Sequence, residues 1–266
     1  MHVTPISSER DYPQMIAETD RVEPAPRRLR AALGGEQIFD TIRARYVWEW
    51  PFYPHYYIPV DDIDLRFLVD ERRDQHLRQG TARRHGLRAG GQDRPATVRV
   101  FTDNAIEGLS GTARFDWEAL DAWYEEDEQV FVHARNPYVR VDALRSHRHI
   151  RACIEGVTLA ETSTPVLVFE TGLPTRYYFD RTDVDFEHLV PSDTQTACPY
   201  KGITSGYWSI RIGDEVRDDH KDLAWAYDFP TRQVQPIAGL VAFYNEKIDI
   251  DVDGIRLAPA RTHFFG

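Results

Sequence analysis

The chain repeats itself at an offset of 121 residues, and this constrains its fold more than any other feature. Residues 29–68 lie on residues 150–189 without a gap, and eleven of the 40 paired positions are identical. Arg30 falls on Arg151, Gly35 on Gly156, Thr41 on Thr162 and Glu49 on Glu170. The pair Tyr56-Tyr57 falls on Tyr177-Tyr178, and Asp62 and Asp64 fall on Asp183 and Asp185. Beyond this block the match loosens. Thr-Ala-Arg-Arg-His-Gly at 81–86 resembles Thr-Ala-Cys-Pro-Tyr-Lys-Gly at 196–202 with one residue deleted, and 117–124 can be laid on 237–244 at an offset of 120. The repeated unit is therefore a whole domain, too long for a solenoid repeat, and two copies point to duplication rather than an array. The expected division is an N-terminal arm at 1–20, a first, divergent repeat at 21–140, a second repeat at 141–258 and a tail at 259–266.

Within each unit the pattern is mainly strand. Residues 29–33 and 150–154 alternate partly, as half-buried strands do, and Gly34-Gly35 and Glu155-Gly156 supply hairpin turns. Residues 165–170 form a compact apolar strand, and 176–179 an aromatic one. Val234, Ile237, Val241 and Tyr244 recur at helical spacing, with Pro236 tolerable in a first turn, so one helix is expected to close each repeat.

Bulk properties narrow the partners. The formal net charge of −11 repels phosphate backbones, so nucleic acid is not an expected partner. The longest apolar run, 237–244, is far too short for a bilayer span, and the N-terminus has no apolar signal core, which leads to the expectation of a cytoplasmic protein with no membrane partner. The two cysteines, Cys153 and Cys198, cannot build a disulfide framework or a four-cysteine zinc site. They are expected as free thiols, with no metal site and no cofactor. No Gly-x-Ser-x-Gly elbow, His-Glu-x-x-His or Walker loop occurs.

Three strings are distinctive: Val-Pro-Ser-Asp-Thr-Gln-Thr-Ala-Cys-Pro-Tyr-Lys-Gly at 190–202, Glu-Thr-Gly-Leu-Pro-Thr-Arg-Tyr-Tyr at 170–178, and Ile-Ala-Gly-Leu-Val-Ala-Phe-Tyr-Asn at 237–245. Together they resemble the domain-of-unknown-function family 427 in its tandem form, sometimes labelled nucleotidyltransferase-like. The resemblance covers nearly the whole chain from about residue 20, but the Cys-Pro-Tyr-Lys-Gly signature is missing from the first copy. It implies two tandem, mainly β domains of Mss4-like, β-tent type. Relatives of that fold hold zinc with paired cysteines, which this chain lacks. The glycine-serine loop and acidic pair of a nucleotidyltransferase are missing too.

Candidate chemistry concentrates in the second copy. Cys198 stands three residues before Lys201 in a turn bounded by Pro199 and Gly202, and a nearby ammonium favours a thiolate. Glu170 ends an apolar strand and Arg176 begins the next across a short turn. Glu49 repeats the acid in the first copy, but His55 stands in place of Arg176. Aromatic residues gather near these cations: Tyr177, Tyr178, Tyr200, Tyr207, Trp208, Trp225, Tyr227 and, further on, Tyr244. Glu170, Cys198 and Lys201 are the expected catalytic groups, and Arg176, Tyr178, Tyr200, Trp208, Trp225 and Tyr244 the expected ligand-binding ones. The three Asp-x-Asp pairs and the acidic run 125–128 read as solvated polar faces. The expected function is a small-molecule enzyme acting on an anionic or carbonyl-containing metabolite. The alternatives are a non-catalytic small-ligand module and an interaction scaffold. The sequence leaves the oligomeric state open.

Overall fold

The computed structural model describes residues 12–13, 17–103 and 106–262. Much of the expected N-terminal arm, residues 1–11 and 14–16, lies outside the described residues, as do residues 263–266 of the tail. The chain divides into two compact units, one of Ile16–Pro137 and one of Met1–Met15 with Tyr138–Gly266.

The first unit contains β1 (Val22–Pro24), β2 (Leu29–Leu33), β3 (Glu36–Thr41), β4 (Arg45–Val47), β5 (His55–Pro59), β6 (Leu68–Leu77), β7 (Gly80–Ala89), β8 (Gln92–Phe101), β9 (Thr112–Phe115), β10 (Ala122–Glu125) and β11 (Glu128–Val130). The second contains β12 (Val141–Arg145), β13 (Ile150–Ile154), β14 (Val157–Thr162), β15 (Val166–Glu170), β16 (Arg176–Phe179), β17 (Leu189–Ser192), β18 (Ala197–Cys198), β19 (Gly202–Ile203), β20 (Gly206–Ile210), β21 (Ala224–Ala226), β22 (Val241–Phe243), β23 (Asp249–Val252) and β24 (Ile255–Arg256).

The two units have one topology. The first has a seven-stranded sheet in the order β1-β4-β5-β9-β8-β7-β6 and a four-stranded sheet β11-β10-β2-β3. The second has β12-β15-β16-β22-β21-β20-β17 and β14-β13-β23-β24, the same two orders strand for strand. Every pairing between these strands is antiparallel. Even local irregularities recur: the β2–β3 register shifts after Ala31 and the β13–β14 register after the equivalent Ala152. Both hairpins turn through two left-handed residues, Gly34-Gly35 at φ +58° and +81° and Glu155-Gly156 at +52° and +84°, whose twist suits a two-residue connection. Asp64 and Asp185, also equivalent, each accept a hydrogen bond from a backbone N–H two residues on and start a 3-10 turn.

In the second unit the four-stranded sheet packs on one face of the seven-stranded sheet. Ile150, Ala152, Leu159, Ile250 and Val252 meet Leu167, Phe179, Ile210, Val241 and Phe243 across that core. Fully burying such side chains contributes about 1.5–3 kcal/mol each. The opposite face carries Val166, Val168, Tyr178, Tyr207, Trp225 and Ala242, which cluster with Val234 and Ile237.

Four sequence expectations change. The helix expected over Val234, Ile237, Val241 and Tyr244 is a 3-10 segment, Arg232–Ile237, broken at Val234, and Val241 lies on strand β22. Gly239 at φ +75° follows the segment, and the continuous apolar run 240–244 fits a buried strand as well as a helix. Its partner region, 117–124, does not match 237–244. It holds a 3-10 turn, Trp117–Ala119, followed by β10, whose register against β2 equals that of β23 against β13. Likewise Leu87, opposite Leu68, takes the place of Ile210, opposite Leu189, so the string at 81–86 lies in the main sheet and does not correspond to the signature turn. Finally, Glu125 is not part of a solvated run. It is buried on β10 and accepts hydrogen bonds from Arg27 and Tyr56.

Candidate functional site

The site grows out of strand alternation in the second unit. Residues two apart on a strand share a face, so Val166, Val168 and Glu170 of β15 point the same way. Register places Arg176 opposite Val168 and Tyr178 opposite Val166. Across the sheet Tyr178 pairs with Ala242, Ala242 with Trp225, and Trp225 with Tyr207. One cross-strand row therefore runs Tyr178, Ala242, Trp225, Tyr207, with Glu170 and Arg176 beside its end. The rings touch: Tyr178 lies edge-on to Trp225 at 6.4 Å, and Tyr244 lies 4.3 Å from Trp225 between centroids. The hydroxyls of Tyr207 and Tyr244 are 3.0 Å apart, and the Trp225 indole N–H donates to the Tyr178 hydroxyl at 3.4 Å.

The signature turn closes over this face. Where the first unit runs β6 directly into β7, the second interrupts the equivalent hairpin with β18 and β19, which pair at Cys198 and Gly202. Gly202 adopts φ +98°, a conformation L side chains rarely take. The turn is tied down because Thr231 donates its N–H to the Lys201 carbonyl at 3.0 Å and its hydroxyl to the Tyr200 carbonyl at 2.5 Å. Lys201 is thereby driven inward to 7% exposure, where its ammonium donates to Glu170 Oε2 and lies 3.9 Å from Cys198 Sγ. Burial alone would favour neutral lysine. A charged Cys198 would oppose this most, and with the thiol neutral the Glu170 carboxylate still does, so the ammonium is raised above its ordinary range. Lys201 therefore stays charged.

The thiol behaves otherwise than the sequence suggested. Burial pushes the Cys198 thiol up, and Glu170 adds to this. Lys201 and the backbone N–H groups of Tyr200 and Lys201 oppose it without overcoming it. The resting group at neutral pH is a protonated thiol. Burial likewise pushes Tyr178 up to about 12, despite the nearby ammonium.

A second ion pair flanks the first. Arg176 donates from two nitrogens to the two Glu246 oxygens, at 2.6 Å each, and also to Asn245 Oδ1. Its guanidinium lies 5.5 Å from the Tyr244 ring centroid and 5.8 Å from that of Trp225. Glu246 also accepts from Thr262, and its carboxyl is held below the usual range by Arg176 against the effect of burial.

Of the expected residues, Glu170, Arg176, Tyr178, Cys198, Lys201, Trp225 and Tyr244 come together. Trp208 does not. It follows Tyr207 on β20, so it points to the opposite face, where it joins the inter-sheet core and meets Phe186 and Arg181. Tyr200 enters through its backbone, whose N–H faces the thiol and whose carbonyl anchors Thr231. The residue set missed Tyr207, Glu246 and Asn245. Strand alternation would have chosen Tyr207 over Trp208, because Trp208 would have shared a face with the core residue Ile210. No groups of acids, histidines and cysteines arranged to hold a metal ion occur among the described residues, and no helix there is long and apolar enough to cross a membrane. Both cysteines are free thiols.

Among the described residues, the fold and site define a tandem β protein with antiparallel strand pairing and a thiol–ammonium–carboxylate centre. The chain belongs to the family described as domain of unknown function DUF427, whose model matches it twice, at residues 21–126 and 142–254. No curated protein matches the chain.

Proposed function

We propose that the second repeat is a small-molecule enzyme centre acting on a carbonyl-containing metabolite through Cys198, Lys201 and Glu170. The observation that carries this reading is the convergence of a thiol and an ammonium, both from the β18–β19 turn, on a carboxylate at the end of β15. Cys198 Sγ bonds to the carbonyl carbon, the carbonyl π pair moves to oxygen, and the Lys201 ammonium donates to that oxyanion. Glu170, which shares Lys201 with the thiol, takes the thiol proton. An anionic substrate fits less well, because Lys201 and Arg176 are already matched by Glu170 and Glu246. Free thiol chemistry suits a reducing compartment such as the cytoplasm.

p-Nitrophenyl acetate is a simple carbonyl probe. The expected result is acetylation of Cys198, detected by mass spectrometry, faster than that of Cys153 and slowed roughly tenfold or more in Lys201→Met. Equal rates at the two cysteines, or no effect of Lys201→Met, would sink the proposal.

One observation favours a second reading. A neutral resting thiol beside an aromatic row suits a binding module without chemistry. In that case a ligand-induced thermal shift would survive Cys198→Ser with no product formed.

A further inference from the structure

The first repeat lacks the signature turn, yet it holds a cavity of about 220 Å³ between the end of its main sheet and the 131–134 segment. We infer that this cavity is a binding site for a small, flat nitrogen heterocycle that is neutral or singly positive. Four observations converge on it. First, two stacked aromatic pairs contribute to its lining: Tyr53 on His133, with ring centroids 3.7 Å apart and planes 9° apart, and Trp117 on Trp123, at 4.7 Å and 9°. Flat apolar walls favour flat ligands through stacking. Second, His55 Nδ1 is buried at the cavity without a hydrogen-bond partner, its nearest carboxylate oxygen, on Glu49, being 3.8 Å away. An unsatisfied buried polar atom costs about 1–3 kcal/mol, and a small turn of the His55 ring toward the cavity would let a ring nitrogen or amide of a ligand satisfy it. Third, the lining balances one cation, Arg114, against two carboxylates, Asp116 and Glu118. Arg114 is itself committed to Glu49 and Asp116, which leaves Glu118 to select against anions. Fourth, Val132 lines the cavity at φ +69°. A β-branched residue in that region is strained, and such strain gathers at ligand clamps. The volume lies below the roughly 300–1,000 Å³ of drug-sized sites, so the ligand has one or two rings.

Three probes share one ring and differ in charge: 1-methylnicotinamide, nicotinamide and nicotinate. In calorimetric titrations of the full chain the first two should bind saturably, with nicotinate roughly tenfold weaker or worse. His133→Ala should weaken both binders about fivefold or more. Exposed Glu118→Gln, which leaves the packing intact, should erase the preference over nicotinate. Arg83→Ala, on the exposed β6–β7 ribbon away from the cavity, should change nothing. No saturable binding by any probe, tightest binding of nicotinate, or indifference to both His133→Ala and Glu118→Gln would overturn the assignment.

Discussion

Glu49 and Glu170 occupy the same place in the two repeats, and each is answered by a cation brought from a different direction. In the second repeat the cation is Lys201, delivered by the β18–β19 turn. In the first it is Arg114, on β9, whose Nε donates to Glu49 at 3.0 Å, while the Tyr57 hydroxyl donates to the same oxygen at 3.1 Å. By register Arg114 stands where the second repeat has Ala242, and Arg99 stands where it has Trp225. An aromatic row has thus become an arginine row, closed by Asp116, which both arginines reach. An acid at this sheet position therefore calls for a cation in this fold, and the duplication found two solutions. What the second repeat has in addition is the thiol, and this is why chemistry is sought at Cys198 rather than in the ion pair alone.

The largest effect that could break this comparison is expected at Lys201. Removing one member of a buried pair strands the other, at a cost of about 3–5 kcal/mol. Lys201→Met should show a loss of this size in denaturant unfolding, and the double variant with Glu170→Gln should recover most of it. Arg114→Met should cost less, on the order of 1–3 kcal/mol. Its pair is more solvated, with side chains 17% and 23% exposed against 9% and 8% for Lys201 and Glu170. Equal costs would mean that the buried turn adds nothing to the pair.

Acid should separate the repeats next. Burial lowers the His55 pKa from its ordinary 6.5, so the fold favours neutral imidazole. The unfolded chain takes the proton more readily, and stability falls as pH drops below 6.5. In the second repeat Arg176 fills that place. The Glu246 carboxyl it holds is depressed from 4.5, so that contribution persists to about pH 4.5 and is lost only below it. Peptide-resolved hydrogen exchange between pH 5 and 6.5 should show the region around His55 loosening first, and His55→Phe should remove the difference. Val132→Gly should stabilise the first repeat by roughly 1 kcal/mol, seen as a raised melting temperature, because relief of strain exceeds the lost contacts of a half-exposed side chain. The smallest effect is expected on the β6–β7 ribbon. Arg83 pairs there with Asp70 and Asp74 in solvent, and Arg83→Ala should leave the denaturant midpoint essentially where it is.

The ungapped match over residues 29–68 and 150–189 was readable because it spans contiguous hairpins whose partners are near in sequence. The loosely matched ends misled. The string at 81–86 looked like the signature turn because composition aligned them, whereas ladder register places Leu87 with Ile210. The helix expected over residues 234–244 failed because a short apolar stretch containing Pro236 and Gly239 satisfies two periodicities, and the strand partners Tyr178 and Trp225 decide between them.

By itself, then, the sequence determined that one β domain is written twice, that Glu170 and Arg176 flank one turn, and that Cys198 and Lys201 belong only to the second copy. These facts reside in local spacing and in the comparison of the chain with itself. Only the tertiary structure decided that Lys201 meets Glu170, that Arg114 substitutes for it in the first repeat, and that the Cys198 thiol is pushed up rather than down. Each depends on which strands pair and how deeply the groups are buried, and pairing between distant strands and loss of solvent leave no signature in the order of residues alone.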